Sequence, residues 1–584
     1  MRPQVLKFHL LLLALAAPAA AQTASPSTPP AAPAPTPPTN AQLAASADEH
    51  MRRLVPFGFN GSLLIARNDE VVLSRGYGTA DLERGTPFTA ETPFYIGSLT
   101  KQFTAAGILK LEMEGRLRVT DPITRFFPDV PADKRGITLH HLLTNSSGLW
   151  DMPGGVDALR VREQAIRDIL ADSLRTAPGA TYAYSNAGFV LLAAVVEIAS
   201  GMPYEQYLRD RLWAPAGMRR TGYRPPDVRV EEVAVGYQGG ERWGNPLERQ
   251  LLPDGATWSV RGAGAMISTL GDLLAWSRVL DGTAILSAEA KAKMWTPHVP
   301  QSPEGRAHYG YGWVVTRTSR GTDLVWHNGS NGIFYAELRR YPDEGVVMII
   351  SSNVAEASAE AALPGPVRLT FGLPYTPPPA AHSADPSAAA AAAGTYRLAT
   401  GGTITVSARD GRLTLTPEGA GAFAVTRGSA PSAALDSTGR RTVALLDAMT
   451  RGELQPLHQA MNGQVPLDAL RGMSRQSMEA LGLGEPLGTE LLGVLAGRGT
   501  AVEVLARLRF ERGEGLLRLA WRDGVVAGLD MAQTLPAPPV FLPAADGGWI
   551  SYDLQTAESV RLRFEDGEMV VDTPSGPVRA TRAR

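Results

Sequence analysis

The chain has 584 residues, of which 44% are hydrophobic and 20% charged, and a formal charge of −2. That length implies several domains, and a near-neutral balance without blocks of one sign gives no footprint for nucleic acid or an anionic membrane. The absence of cysteine excludes disulfides, thiol nucleophiles and cysteine-linked lipid anchors.

In chain order, residues 1–21 read as a signal peptide. Arg2 and Lys7 form a positive n-region, residues 10–17 are apolar, and Ala19-Ala20-Ala21 before Gln22 is a small-residue cleavage site. Removing this segment takes two cations away, so the formal charge goes from −2 to −4. The expectation is export to the periplasm or the outside, with no membrane-spanning segment in the mature chain, because no other apolar run approaches bilayer length. Residues 22–40 form a Pro/Ala-rich spacer, and residues 375–393 a second Pro/Ala linker.

Between them, residues 41–374 open with alternating stretches at 61–65 and 71–75, joined through Asn68-Asp69 as a hairpin. A buried helix follows over 94–111, then helical patterns at 137–143, 161–174, 186–198 and 204–212. Strands return at 312–318, 323–327, 334–341 and 345–351. Strands at both ends and helices between them predict a mixed α/β (α+β) domain, with a mostly antiparallel sheet built from both ends and a helical lobe inserted.

Beyond the linker, residues 394–416 form a hairpin across Asp410-Gly411 within a β-rich accessory segment, 394–430. Residues 431–535 read as α+β: short helices over 435–482, then strands at 490–496, 502–511, 516–522 and 525–530. This texture is similar to cystatin-like and nuclear-transport-factor-like accessory domains. Residues 536–584 are β-rich again, with an Asp566-Gly567 turn, and the terminal strands are expected to complete the first hairpin into one small barrel around the helical part. No catalytic cluster falls here, and the expected role is to shield or position the preceding domain. No internal repeat is found.

The chemistry concentrates in three places. Ser98 and Lys101 stand one helical turn apart on one face of the 94–111 helix. The chain contains only six lysines and this one S-x-x-K. A serine hydroxyl needs a base to become a nucleophile, and a lysine whose charge is disfavoured by burial can supply or tune one, as arginine cannot. Alone, the pair reads more readily as a helix N-cap and a solvated lysine. Tyr184-Ser185-Asn186 lies in a loop just before an apolar helix. A tyrosine beside an ammonium would find its phenolate favoured and could act as base and acid, and an asparagine can position a substrate carbonyl or amide. The plain alternative is that Ser185 or Asn186 caps the helix. His327-Asn328-Gly329-Ser330 follows an apolar strand and lets a substrate backbone approach closely. His308 offers a second His-x-Gly; the strand-edge setting favours His327. No histidines are spaced as a zinc site, and no metal or cofactor is called for.

Taken together in this order, Ser98/Lys101, Tyr184/Asn186 and His327/Gly329 resemble the serine β-lactamase and penicillin-binding superfamily. The likeness is greatest to its class C branch with the D-alanyl-D-alanine carboxypeptidases, D-aminopeptidases and esterases. It covers roughly residues 43–373, including the turn at 142–149 and the segment 262–273. The resemblance implies that Ser98 is the acylated nucleophile, Lys101 its activator and Tyr184 the general base and acid. Asn186, His327 and Gly329 would bind substrate, and the backbone N–H groups of Ser98 and Ser330 would form the oxyanion hole. The Lys-Thr-Gly of many relatives is absent, so a strong carboxylate anchor is missing, and there is no Ser-Asp-Asn. The turn Thr144-Asn145-Ser146-Ser147-Gly148 departs from the usual Thr-His-Thr-Ser-Gly and is expected to affect packing. The expected substrate is a small ester, a D-amino-acid peptide or a β-lactam, in a cleft walled by Trp150, residues 237–257 and residues 309–313. A penicillin-binding sensor without turnover and a structural envelope protein are the rival classes.

Overall fold

A computed structural model of the chain describes residues 37–249, 251–253, 255–382, 386–468, 470–471, 483–497, 500–532 and 538–583. The expected signal peptide, most of the first spacer and part of the 435–482 helical stretch lie outside these residues. The chain divides into two compact units, one formed by Pro35–Pro377 with Leu554–Thr556, the other by the rest of the chain from Pro378.

The first unit opens with α1 (Asn40–Leu54), started by a capping box in which Thr39 and Gln42 satisfy each other's backbone N–H groups. This helix is absent from the expected elements. Its buried stripe, Leu43, Ala47, Met51 and Leu54, has helical spacing but is diluted by alanines on its other faces. Next come β1 (Gly61–Arg67) and β2 (Glu70–Tyr77), paired antiparallel. Asn68 and Asp69 between them both have positive φ, the turn geometry that matches strand twist.

Two helices make the centre of this unit. A 3₁₀ turn over Gly97–Leu99 leads into α2 (Thr100–Met113), buried without interruption from Thr100 to Leu109. It packs against α3 (Asn186–Ser200), buried from Ala187 to Val196. Each buried leucine, isoleucine, valine or phenylalanine here contributes about 1.5–3 kcal/mol, which is what holds a helix that also carries Lys101 inside. Ser185 caps α3 by accepting the Gly188 N–H, and Gly201 ends it in the left-handed region.

Six further strands, β3 (Val299–Pro300), β4 (Ala307–Tyr309), β5 (Val314–Arg317), β6 (Asp323–Ser330), β7 (Tyr335–Tyr341) and β8 (Val346–Ser352), complete an antiparallel sheet in the order β3-β4-β5-β6-β7-β8-β1-β2. The sheet is thus assembled from both ends of the unit with helices in between, as the sequence pattern predicts. β6 runs to Ser330, beyond the expected end at residue 327.

In the second unit Gly394–Leu398, Thr403–Arg409 and Arg412–Glu418 join five strands between Val540 and Arg582 in a closed eight-stranded barrel. The two outer β-rich segments are thus one structure, a barrel with the helical part inserted, as the sequence pattern predicts. The inserted part is an 18-residue helix, Ala433–Thr450, rather than only short ones, laid on a four-stranded antiparallel sheet. Trp521 pins the two together through an Nε1–H donated to Thr442 Oγ1. The second linker needs a correction. Its alanine run is a helix, Pro386–Ala392, whose Ala389 and Ala392 are buried in the barrel core. Alanine is the best helix former, so a run of it beside an apolar opening folds in instead of staying extended.

A charge at this buried position costs on the order of 2 kcal/mol or more. Ala392→Asp is therefore expected to lower the thermal unfolding midpoint of the second unit by roughly 5 °C or more, while Ala391→Asp, at an exposed position of the same helix, leaves it unchanged. Calorimetry of the full chain checks this.

Candidate active site

Gly97, at φ +48°, turns the chain from the short strand Phe94–Tyr95 into the start of α2. The turn leaves Ser98 half-exposed while Lys101, one helical turn on, has no exposure at all. Ser98 Oγ accepts two hydrogen bonds, from the Tyr184 hydroxyl at 2.7 Å and from Lys101 Nζ at 3.0 Å. Lys101 Nζ also donates to Asn186 Oδ1 and to the Ala263 carbonyl, both at 2.7 Å. An ammonium has three N–H donors, and all three are satisfied. Even so, loss of water disfavours its charge. Burial pulls the Lys101 pKa down to about 7, with the Asp151 carboxylate opposing the shift.

Tyr184 and Asn186 are aimed by a braced loop. Ala183 N–H donates to the Asn145 carbonyl at 2.7 Å, and Ser185 N–H to Asn145 Oδ1 at 3.1 Å. Ser185 Oγ–H donates to the Trp150 carbonyl at 2.8 Å while capping α3. The capping role and the site role therefore coexist: Ser185 caps, and its neighbours on either side reach Ser98 and Lys101. Asn145, at φ +54°, does more than fill space, since it fixes the loop that carries Tyr184. The expectation of a favoured phenolate does not survive the geometry. Lys101 Nζ lies over the face of the Tyr184 ring, 4.8 Å from its centroid. Burial pushes the phenol well above its ordinary range. Of the two groups, the amine is the one whose pKa lies near neutrality.

The third motif supplies backbone. β5 pairs with β6 only as far as Val314 opposite Trp326, so residues 327–330 present a strand edge on that side. This edge meets the Ser98 turn closely. A methyl group on Gly329 would lie 2.0 Å from the Ile96 carbonyl oxygen and 2.6 Å from the Ser98 nitrogen, and one on Gly97 would lie 2.7 Å from the Ser330 nitrogen. The absence of two side chains thus brings the Ser98 and Ser330 backbones together. His327 is buried, with Nε2 2.9 Å from the Tyr309 hydroxyl. Burial and the nearby Lys101 lower its pKa to about 3, so it is neutral. His308 sits on β4 outside this cluster, whereas the adjacent Tyr309 joins it.

Two expectations about the cleft change. Tyr309, Tyr311 and Trp313 are core residues, not walls; Tyr237 is buried and donates its hydroxyl hydrogen to Asp81; Trp150 remains 47% exposed. Nothing in the sequence marks Asp151 beyond its place next to Trp150. In the structure it binds Asn186 through both the backbone N–H, at 3.0 Å, and Nδ2, at 3.2 Å.

The family model described as Beta-lactamase matches residues 59–370. The chain belongs to the beta-lactamase family. This is a family of serine hydrolases, and the matched region contains all three motifs. Penicillin-binding protein 4* of Bacillus subtilis (strain 168) is 29% identical to this family member over 341 residues, 55% of this chain and 74% of that protein. The putative penicillin-binding protein PbpX of the same strain is 31% identical over 262 residues, 45% of this chain and 63% of the relative, so less than two thirds of its length is spanned. Among solved structures, the octameric penicillin-binding protein homologue from Pyrococcus abyssi aligns with a TM-score of 0.51 and 19% identity, covering 90% of this chain and 97% of that one. That likeness is one of fold. It agrees with the beta-lactamase-like domain and additional C-terminal β-rich domain described above.

Gly329→Ala tests the backbone approach. The added methyl forces β6 away from the Ser98 turn, at a cost of roughly 1–3 kcal/mol. The expected result is a folded protein whose Ser98 reacts with a fluorophosphonate at least about tenfold more slowly, consistent with a lost oxyanion donor. Stopped labelling and peptide mapping read it out.

Proposed function

We propose that this chain is an exported serine hydrolase that acts through an acyl-enzyme on Ser98 and cleaves small esters or D-amino-acid-containing peptides and amides. The observation that carries the reading is that one half-exposed oxygen, Ser98 Oγ, is held at once by a buried amine at 3.0 Å and a half-buried phenol at 2.7 Å. As a neutral amine, Lys101 takes the Ser98 proton while Oγ bonds to the substrate carbonyl carbon. The carbonyl oxygen becomes an oxyanion between the N–H groups of Ser98 and Ser330. Tyr184, kept protonated by burial, gives its proton to the departing oxygen or nitrogen, and the proton on Lys101 replaces it. Water then repeats the sequence in reverse, releasing the acid and free Ser98.

Substrate class follows from charge. His327 is neutral where many relatives have a lysine, so this position offers a substrate carboxylate no fixed positive charge. This favours neutral esters and amides over carboxylate-bearing β-lactams. The proposed export rests on the sequence of residues 1–21.

The test compares kcat/KM of the mature protein on a short-chain p-nitrophenyl ester, a D-Ala-D-Ala peptide and a chromogenic cephalosporin, beside Ser98→Ala. Ester or D-peptide turnover that falls by about 10³-fold or more in Ser98→Ala, with negligible cephalosporin turnover, is expected. Efficient cephalosporin hydrolysis would make the protein a lactamase, and a single-turnover burst would make it a penicillin-binding sensor. Tyr184→Phe is expected to lower kcat by about 10²–10⁴-fold.

The pH profile has a definite sign. Neutral Lys101 is the active form and its pKa is about 7. The rate kcat/KM should therefore be flat above that pH and fall roughly tenfold per unit below it. An acid limb centred near pH 4–5 would mean that a carboxylate or a less basic group is the base.

A further inference from the structure

Asp151 lies in the turn that follows Gly148, at the exposed mouth of the site. Its Oδ1 accepts the backbone N–H groups of Met152, at 2.9 Å, and of Asn186, at 3.0 Å; its Oδ2 accepts Asn186 Nδ2 at 3.2 Å. Asn186 is the first residue of α3, where free N–H groups favour a carboxylate. A carboxamide has one donor end and one acceptor end. With Nδ2 bound to Asp151, Oδ1 must face the other way, where it lies 2.7 Å from Lys101 Nζ. The flipped amide would set a donor against an amine and an oxygen against a carboxylate.

We propose that Asp151 is a positioning residue of the Ser98 centre: it binds the backbone N–H and Nδ2 of Asn186 so that the carboxamide oxygen is aimed at Lys101 Nζ, and its carboxylate is part of that amine's electrostatic surroundings. The surroundings of Lys101 support this. Ser98, Asn186 and the Ala263 carbonyl bind it, the rings of Tyr184 and Phe189 lie beside it, and His327 is close and neutral. None of these carries a negative charge. Burial pulls the ammonium toward its neutral form, and the Asp151 carboxylate opposes that shift. Without Asp151 the amine would lose its protonated form too early in pH to return a proton to Tyr184 near neutrality.

The proposal deepens the hydrolase reading, and only its kinetic consequence rests on that reading. The experiment therefore measures Lys101 directly. Five of the chain's six lysines lie beyond the expected signal peptide, so mature protein labelled with ¹³C at lysine Cε gives a countable NMR spectrum, with Lys101→Met assigning the resonance. Asp151→Asn is expected to lower the Lys101 titration midpoint by about half a pH unit or more, and Asp151→Glu to restore it. In Asp151→Asn the acid limb of kcat/KM for the p-nitrophenyl ester should move to lower pH by the same amount, with kcat reduced several-fold and KM little changed. A midpoint that is unmoved in folded Asp151→Asn protein overturns the proposal. A midpoint that moves while the kinetic limb stays in place supports the assignment of Asp151 and contradicts Lys101 as the base.

Discussion

The site depends on keeping one amine out of water. Lys101 is fully buried in the first turn of a helix that is apolar almost all round, and a desolvated ammonium is tolerated there only because three acceptors are fixed around it. Those acceptors come from three separate segments: the Ser98 turn, the start of α3 and the backbone at Ala263. The packing of α2 against α3 must hold them in register, since a donor left unmatched inside would cost about 1–3 kcal/mol. The same burial that makes the lysine expensive brings its pKa to about 7. On the reading proposed, what is costly for folding is what makes the serine reactive.

Around this centre, rigidity is supplied by backbone. Gly97 and Gly329 allow contacts that any side chain would block, so the helix start and the open end of β6 meet at Ser98 and Ser330. Asn145 fixes the Tyr184 loop from below by accepting two of its N–H groups. Asp151 sets Asn186 from the solvent side. Charges and hydrogen bonds thus act on groups already confined by packing, which is the condition for preorganised stabilisation.

Much of this was legible in the sequence, for identifiable reasons. Ser98 and Lys101 could be found because lysine is scarce in this chain and their spacing places both on one helix face. The sheet built from both ends followed from where period-two stretches fall, and Asn68-Asp69 and Asp410-Gly411 marked turns that the structure contains. The misses have causes too. α1 was hidden because alanine dilutes its stripe, and the 386–392 helix because alanine with proline reads as a linker. Tyr309 looked like a cleft wall when it is a core residue that binds His327. Asp151 and the state of Tyr184 depend on which face a partner presents, and no spacing rule encodes that.

The most direct measurement is to trap the covalent intermediate. Protein turning over a short acyl p-nitrophenyl ester is quenched in acid within milliseconds, digested and mapped by mass spectrometry. The account predicts one acyl group per chain, attached to the peptide that contains Ser98 and formed at the rate of the burst. An acyl group found reproducibly on another residue, or steady turnover with no covalent species at any time, would contradict it.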